Sequence, residues 1–278
     1  MVGFAFSPNL KANIYEALRM AHYFGGELIF VHVGRKTPEK ESIFNEIVGS
    51  SPVQSEKISV HWRIGDPVRT LLQASKDFGV DLILLGALKR ENVLKFYLGS
   101  IARKITRKAK CSVLLLINPS VERQPCQHIV VNGLDSPQTK LTIEAAFVVA
   151  NALGVKKISL VEEISRSKVA VAVDDDRSLR RATLKKEKLR RQEQTRVKDV
   201  VQKLPAALTA DVNWTTQSIF GRRGYSIGHY AKLVRADLLV MNAQENLSFI
   251  DRFITRDIEH ILAELPTDVL IINLKGNE

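Results

Sequence analysis

The chain has little of what would anchor, staple or metallate a protein. Only two of its 278 residues are cysteine, Cys111 and Cys126, and they form no CxxC pair. That excludes a zinc knuckle or a thioredoxin-type motif, and two reduced thiols suit a cytosolic protein. No apolar run approaches the roughly 18 residues that read as a bilayer span. The opening MVGFAFSPN lacks the charged start and cleavage site of a secretory signal, so a cytoplasmic protein is expected. The six histidines (22, 32, 61, 128, 229 and 260) form no HExxH or other helical metal pair. His32 and His61 sit in apolar stretches and read as core residues. There is no GxSxG elbow, no GxxxxGK[ST] loop and no HxGH motif; Gly228-His229 lacks the first histidine. An efficient enzyme is not expected, and slow ATP hydrolysis would have no visible general base.

What is present is a 45% hydrophobic chain, long enough for two domains, with a formal charge of +11. The charge is concentrated. Lys89 to Lys110 holds eight Lys/Arg against one acid, and Arg177 to Lys198 holds ten against two. These segments carry +7 and +8, leaving −4 for the remainder. The protein is a slightly acidic body with two basic segments.

The first half alternates strand and helix signals. Strands are expected at Val2–Phe6, Leu28–Val33, Ile58–Trp62, Leu82–Leu85 and Val113–Ile117. Helices are expected after Ser7-Pro8, at Pro38–Ile47, at Val68–Phe78 and from Ile101 to Lys110, with Ser7, Asp66 and Ser100 as N-caps. This pattern predicts a doubly wound parallel sheet with helices on both faces. Ligands bind such sheets beyond the carboxyl ends of the strands.

The stretch Asp81 to Ser100, DLILLGALKRENVLKFYLGS, fits that place. A buried strand ends at Gly86, a basic loop follows, and Gly99-Ser100 opens a helix. Glycine lets the backbone turn and approach a ligand closely, and the first helical N–H groups attract an anion. Gly86, Lys89, Gly99 and Ser100 fall on a spacing that resembles the ATP-binding signature of the universal stress proteins. Lys89 stands at that signature's second glycine. The opening strand with FSPN, the LIFVHV strand, the GDP turn and the DLILLG strand resemble the family too, so the likeness spans the first half. It implies a nucleotide site at Val33, Gly86, Lys89, Gly99, Ser100 and Ile101, with Arg90 and Arg103 as counter-charge and ATP as cofactor. One departure is Ala5, where the family carries an aspartate that holds the adenine.

The second half repeats the first. Ser136-Pro137 matches Ser7-Pro8, Asp237–Met241 matches Asp81–Leu85, and Val269–Ile271 matches Val113–Leu115. Two domains are expected, at 1–122 and 123–278, joined near Arg123–Gln127. The second gains a basic insertion over about 165–204, where a long helix should follow Asp174–Asp176. Val197, Val200, Val201 and Leu204 form its apolar stripe. At the glycine positions the repeat carries Asn242, Glu245, Thr255 and Arg256, so its cradle is lost. Asn132 and Asp135 read as a turn and a helix cap.

Three functions follow. The first is a tandem universal stress protein, a cytosolic nucleotide-responsive regulator binding an adenine nucleotide in its first domain. The second is a scaffold without nucleotide, acting as a homodimer or through pairing of its two domains. The third is nucleic-acid binding through Arg177–Lys198, with an anionic membrane surface as a weaker variant. No aromatic interleaves that run, so base stacking is not offered.

Overall fold

A computed structural model describes residues 1–55, 57–89, 96–170, 172–222, 224–243, 261–262 and 265–273, with backbone alone at 88, 89, 96 and 97. The chain divides into two compact units, Met1–Pro125 with Asp268–Glu278, and Cys126–Thr267.

In the first unit the elements run β1 (Val2–Phe4), α1 (Leu10–Phe24), β2 (Leu28–Val33), α2 (Pro38–Gly49), β3 (Ile58–Arg63), α3 (Pro67–Asp77) and β4 (Leu82–Gly86). A small hairpin, β5 (Leu88–Lys89) with β6 (Phe96–Tyr97), leads to α4 (Ser100–Lys108) and β7 (Ser112–Leu116). The second unit holds β8 (His128–Asn132), α5 (Thr139–Leu153), β9 (Lys157–Ser165), α6 (Arg166–Val169) and α7 (Asp176–Gln202). It continues with α8 (Ala206–Thr209), β10 (Asn213–Gly221), α9 (Tyr225–Leu233) and β11 (Leu238–Asn242); a last strand, β12 (Asp268–Ile272), lies in the first unit.

The first unit's strands are ordered β12-β7-β4-β1-β2-β3. All pair in parallel except β12 with β7. From β1 the chain steps to β2 and β3 on one side, then crosses back to β4 and β7 on the other. Right-handed crossovers in opposite directions put α1 and α2 on one face and α3 and α4 on the other. The helix contacts agree, α1 touching α2 and α3 touching α4. The reversal of direction between β1 and β4 is the topological switch point. The second unit repeats this order, β10-β9-β8-β11, all parallel.

Local sequence accounts for most helix ends. Thr37 and Asp66 cap α2 and α3 by accepting from Lys40 N and Arg69 N, each with proline at the first helical position. α1 and α5 stop at Gly25 and Gly154, at φ +60° and +73°, where a Cβ would be strained. Two expected caps are corrected. Ser7 forms a tight turn with its carbonyl accepting from Leu10 N, so α1 starts at Leu10 with Asn9 in the cap position. Ser100 is the first helical residue of α4 and Gly99 is the cap, because the Gly99 carbonyl already accepts from Arg103 N.

The core of the first unit holds Ile14, Leu18, Phe30, Ile83, Ile105 and Leu115; that of the second holds Ile129, Ile143, Phe147, Ile158 and Leu160. Each such side chain contributes about 1.5–3 kcal/mol on burial. His32 is buried as expected, its Nδ1 3.1 Å from the Phe4 carbonyl. His61 is only half-buried, lying against Phe78 with ring centroids 4.5 Å apart, since β3 is an edge strand.

Candidate functional site

The switch point of the first unit lies at the ends of β1 and β4, beside the helices that follow them. Gly86 closes β4, half-buried, opposite Leu116 of β7. A Cβ there would stand 2.6 Å from Asn13 Oδ1 and 3.0 Å from its Nδ2. The Asn13 amide, on the first turn of α1, lies over its Cα and would have to turn aside for any Cβ. That Oδ1 is buried with no hydrogen-bond partner. An unpaired buried acceptor costs about 1–3 kcal/mol, so a donor reaching it would be rewarded.

From Gly86 the chain enters the β5–β6 hairpin, where Leu88 pairs with Tyr97 and Lys89 with Phe96. The hairpin carries the chain from Gly86 at the end of β4 to Gly99 before α4, with twelve residues between the two glycines. Leu98, buried at 2% exposure, pins the return strand. Gly99 is half-buried, and Ser100 and Ile101 are exposed at the start of α4. No side chain caps α4, and its first turn carries no acid. Its N–H groups and dipole are left to solvent or to an anion. Ala102, Ile105 and Thr106 hold the other side of α4 in the core, and Arg103 is half-buried. Lys89 lies on β5, but its side chain, like all of Arg90, is outside the described residues, as are Glu245, Thr255 and Arg256 of the repeat.

On the other side of β1, Val33 ends β2, half-buried and paired with Arg63. Ala5 is exposed just past β1. An aromatic group that motif reading missed gathers beside them. Phe6 stacks on Trp62 at 6.1 Å and meets His32 edge-on at 5.2 Å, while Lys40 Nζ lies 5.6 Å from the Phe6 ring. Gly34 makes room for the cluster, since a Cβ there would stand 2.7 Å from His32 Nε2. Only the aromatic run along β1 to β3 hints at this cluster. Asn13 has no sequence signal, because its partner is a glycine 73 residues away.

The corresponding ends of the second unit are filled by its own side chains. Arg196 of α7 donates to the Gly133 and Leu134 carbonyls just past β8, and pairs with Glu193 at 2.8 Å. Asn242, the counterpart of Gly86, donates to Ser136 Oγ at 3.2 Å. Asp135 lies 3.9 Å from Arg196 and is not the cap of α5, a position held by Gln138. Asn132 is 1% exposed on the last position of β8, with neither amide atom paired. Glu162 on β9 is equally buried; its Oε2 accepts from Ser218 Oγ at 2.9 Å and its Oε1 has no partner. Burial pushes this carboxyl above its usual range, against weaker pulls from Ser218 and Arg196. Glu163 caps α9 instead, accepting from Gly224 N and Ile227 N, both at 2.8 Å. Among the described residues no group of His, Cys, Asp or Glu could hold a metal ion. No described helix is long and apolar enough to cross a membrane.

Known proteins share these features. Residues 51–116 match the universal stress protein family. A universal stress protein of Synechocystis is 25% identical over 92 residues, 32% of this chain; the match spans 58% of that relative's length. In fold, the chain resembles a universal stress protein of Archaeoglobus fulgidus, with TM-score 0.67 at 15% identity, covering 100% of this chain and 97% of the other. A functionally unknown protein of Pseudomonas aeruginosa gives TM-score 0.66 at 14% identity, covering 99% and 91%. Residues 51–116 are thus similar to the universal stress protein family, and the α/β fold of the whole chain is similar to that of a universal stress protein.

Proposed function

We propose that the first unit binds an adenine nucleotide, ATP or a close relative, and that the protein acts as a cytosolic nucleotide-responsive regulator, not an enzyme. The observation that supports this is the start of α4, with no side-chain cap and no acid in its first turn, on the helix that follows β4 at the switch point. In this reading the N–H groups of Ser100 and Ile101 hold the phosphates, and Lys89, Arg90 and Arg103 supply counter-charge. The Val33 backbone meets the base. Ala5 offers the base no carboxylate, which forgoes roughly 1–3 kcal/mol of specific recognition. The second unit is structural, and dimerisation of the protein is part of the same reading.

Titration calorimetry with ATP, ADP and AMP on wild type and Gly99→Val tests it. Gly99 sits at φ −58° and ψ 157°, which valine adopts without strain. Wild type is expected to release heat with at least one nucleotide, and the variant to bind it at least tenfold more weakly. No heat with any of the three on folded wild type overturns the proposal. The packed cluster of Phe6, His32 and Trp62, together with Ala5, favours a second reading, a scaffold without nucleotide. That outcome is what silent calorimetry would support.

A further inference from the structure

The helix α7 carries more charge than its packing uses. It spans 27 residues, about 40 Å at 1.5 Å per residue. Its buried positions are Ser178, Ala182, Val197 and Val201. At 100° per residue these fall on one side, together with the half-buried Leu189 and Glu193. On the opposite side, within an arc of about 140°, stand Arg177, Arg180, Arg181, Lys185, Lys188, Arg191 and Lys198. All seven are exposed. Of them only Arg191 is paired, to Glu187 at 2.9 Å; the other six make no ion pair among the described residues.

Both ends of this array are fixed. At the start, Asp175 accepts from Ser178 N at 2.7 Å while Ser178 Oγ accepts from Asp175 N at 3.0 Å, a reciprocal cap. Ser178 and Ala182 are buried there, and α6 packs against α7. At the other end Val197 and Val201 sit in the core, and Arg196 holds the Gly133 and Leu134 carbonyls. A pre-formed helix loses little conformational entropy on meeting a partner.

We propose that this outer face of α7 is a docking surface for duplex nucleic acid, read through its phosphates without sequence preference. The cations run over roughly 30 Å of axis in steps of about 1.5–10.5 Å, a length that meets many duplex phosphates. A membrane fits less well. An interfacial helix needs a continuous apolar face to bury; here Val197 and Val201 are committed to the second unit's core, and the two exposed leucines, Leu179 and Leu184, stand about 140° apart around the helix. Single strands fit less well too. No aromatic lies between Phe147 and Trp214, so nothing on the helix stacks on bases.

The test is fluorescence anisotropy of a labelled 24-base-pair DNA duplex of mixed sequence, with the full chain, between 50 and 200 mM KCl. The comparison variant is Arg180→Gln/Arg181→Gln/Lys185→Gln/Lys188→Gln. Glutamine keeps helix propensity, and circular dichroism checks that the helix persists. Wild type is expected to bind with an affinity that falls steeply with salt. The variant should bind at least tenfold more weakly at 50 mM, with a log–log salt slope lower by about 3.6, from about 0.9 for each phosphate no longer neutralised. Three results overturn the proposal: no binding at 50 mM, binding unchanged by the four substitutions, or binding only to vesicles of anionic lipid. Nucleotide calorimetry on the same variant should match wild type, so this outcome and that of the first-unit site are read separately.

Discussion

Two buried side chains carry the sharpest residue-scale consequences. Asn13 presses its amide on Gly86 and leaves Oδ1 without a donor. Gly86→Ala forces that amide aside and should cost about 1 kcal/mol, because a flexible side chain end can turn away. In an Asn13→Ala background the cost should vanish. Urea unfolding of the four proteins in a double-mutant cycle measures it; a coupling energy near zero would sink the contact. Glu162 is the second. Its folded pKa lies above its ordinary 4.5, with burial the first cause. The sign follows by linkage: the stability tied to the neutral carboxyl is full below about pH 4.5 and is lost as pH rises through the raised value. Glu162→Gln removes that loss. The melting temperature of the variant relative to wild type should therefore climb between pH 4 and pH 8, and a gap independent of pH would refute the burial argument.

At the scale of elements, α7 and the β5–β6 hairpin do different work with similar charge. The hairpin links the end of β4 to the start of α4, and the proposed nucleotide site uses basic residues beside it. The helix carries its cations outward because its buried side is narrow and its ends are tied. Val197 is the point where α7 meets the strand ends, fully buried and 3.4 Å from where a Gly133 Cβ would stand. Val197→Ala should destabilise the second unit by about 2 kcal/mol through reduced burial and a cavity. Chemical denaturation reads this, and a midpoint equal to wild type would place α7 outside the cooperative core. Asp175→Ala should raise hydrogen exchange in the first turns of α7 only, since the reciprocal cap with Ser178 is local.

At the scale of the whole molecule, the last strand is the least local feature. β12 pairs antiparallel with β7, with Leu270 opposite Leu114, the residue it repeats in sequence. Asp268 accepts from Ile117 N at 2.8 Å, and Asn273 donates to the Ala109 carbonyl at 2.8 Å, fastening both ends. Ending the chain at Thr267 would uncover the edge of β7, whose five residues are all buried. An apolar open edge recruits another strand, so the shortened chain should elute as a larger species in size-exclusion chromatography. Elution as a monomer of unchanged stability would contradict that role for β12.

Alternating strands and helices, the glycine spacing, the internal repeat and the long basic helix were all legible in the sequence. Each is written in residues near one another: a buried strand in its apolar run, a helix start in a proline or an aspartate, a repeat in recurring pairs such as Ser-Pro, Asp-Leu and Val-Leu. The caps at Ser7 and Ser100 were misplaced by two residues and one because a tight turn and a backbone bond compete locally for the same groups. Tertiary structure alone decided the rest. Asn13 over Gly86, Phe6 with His32 and Trp62, Arg196 across Gly133 and Leu134, and β12 beside β7 all join residues far apart in the chain. Such contacts arise from which strands lie side by side, and no local periodicity or propensity records that order.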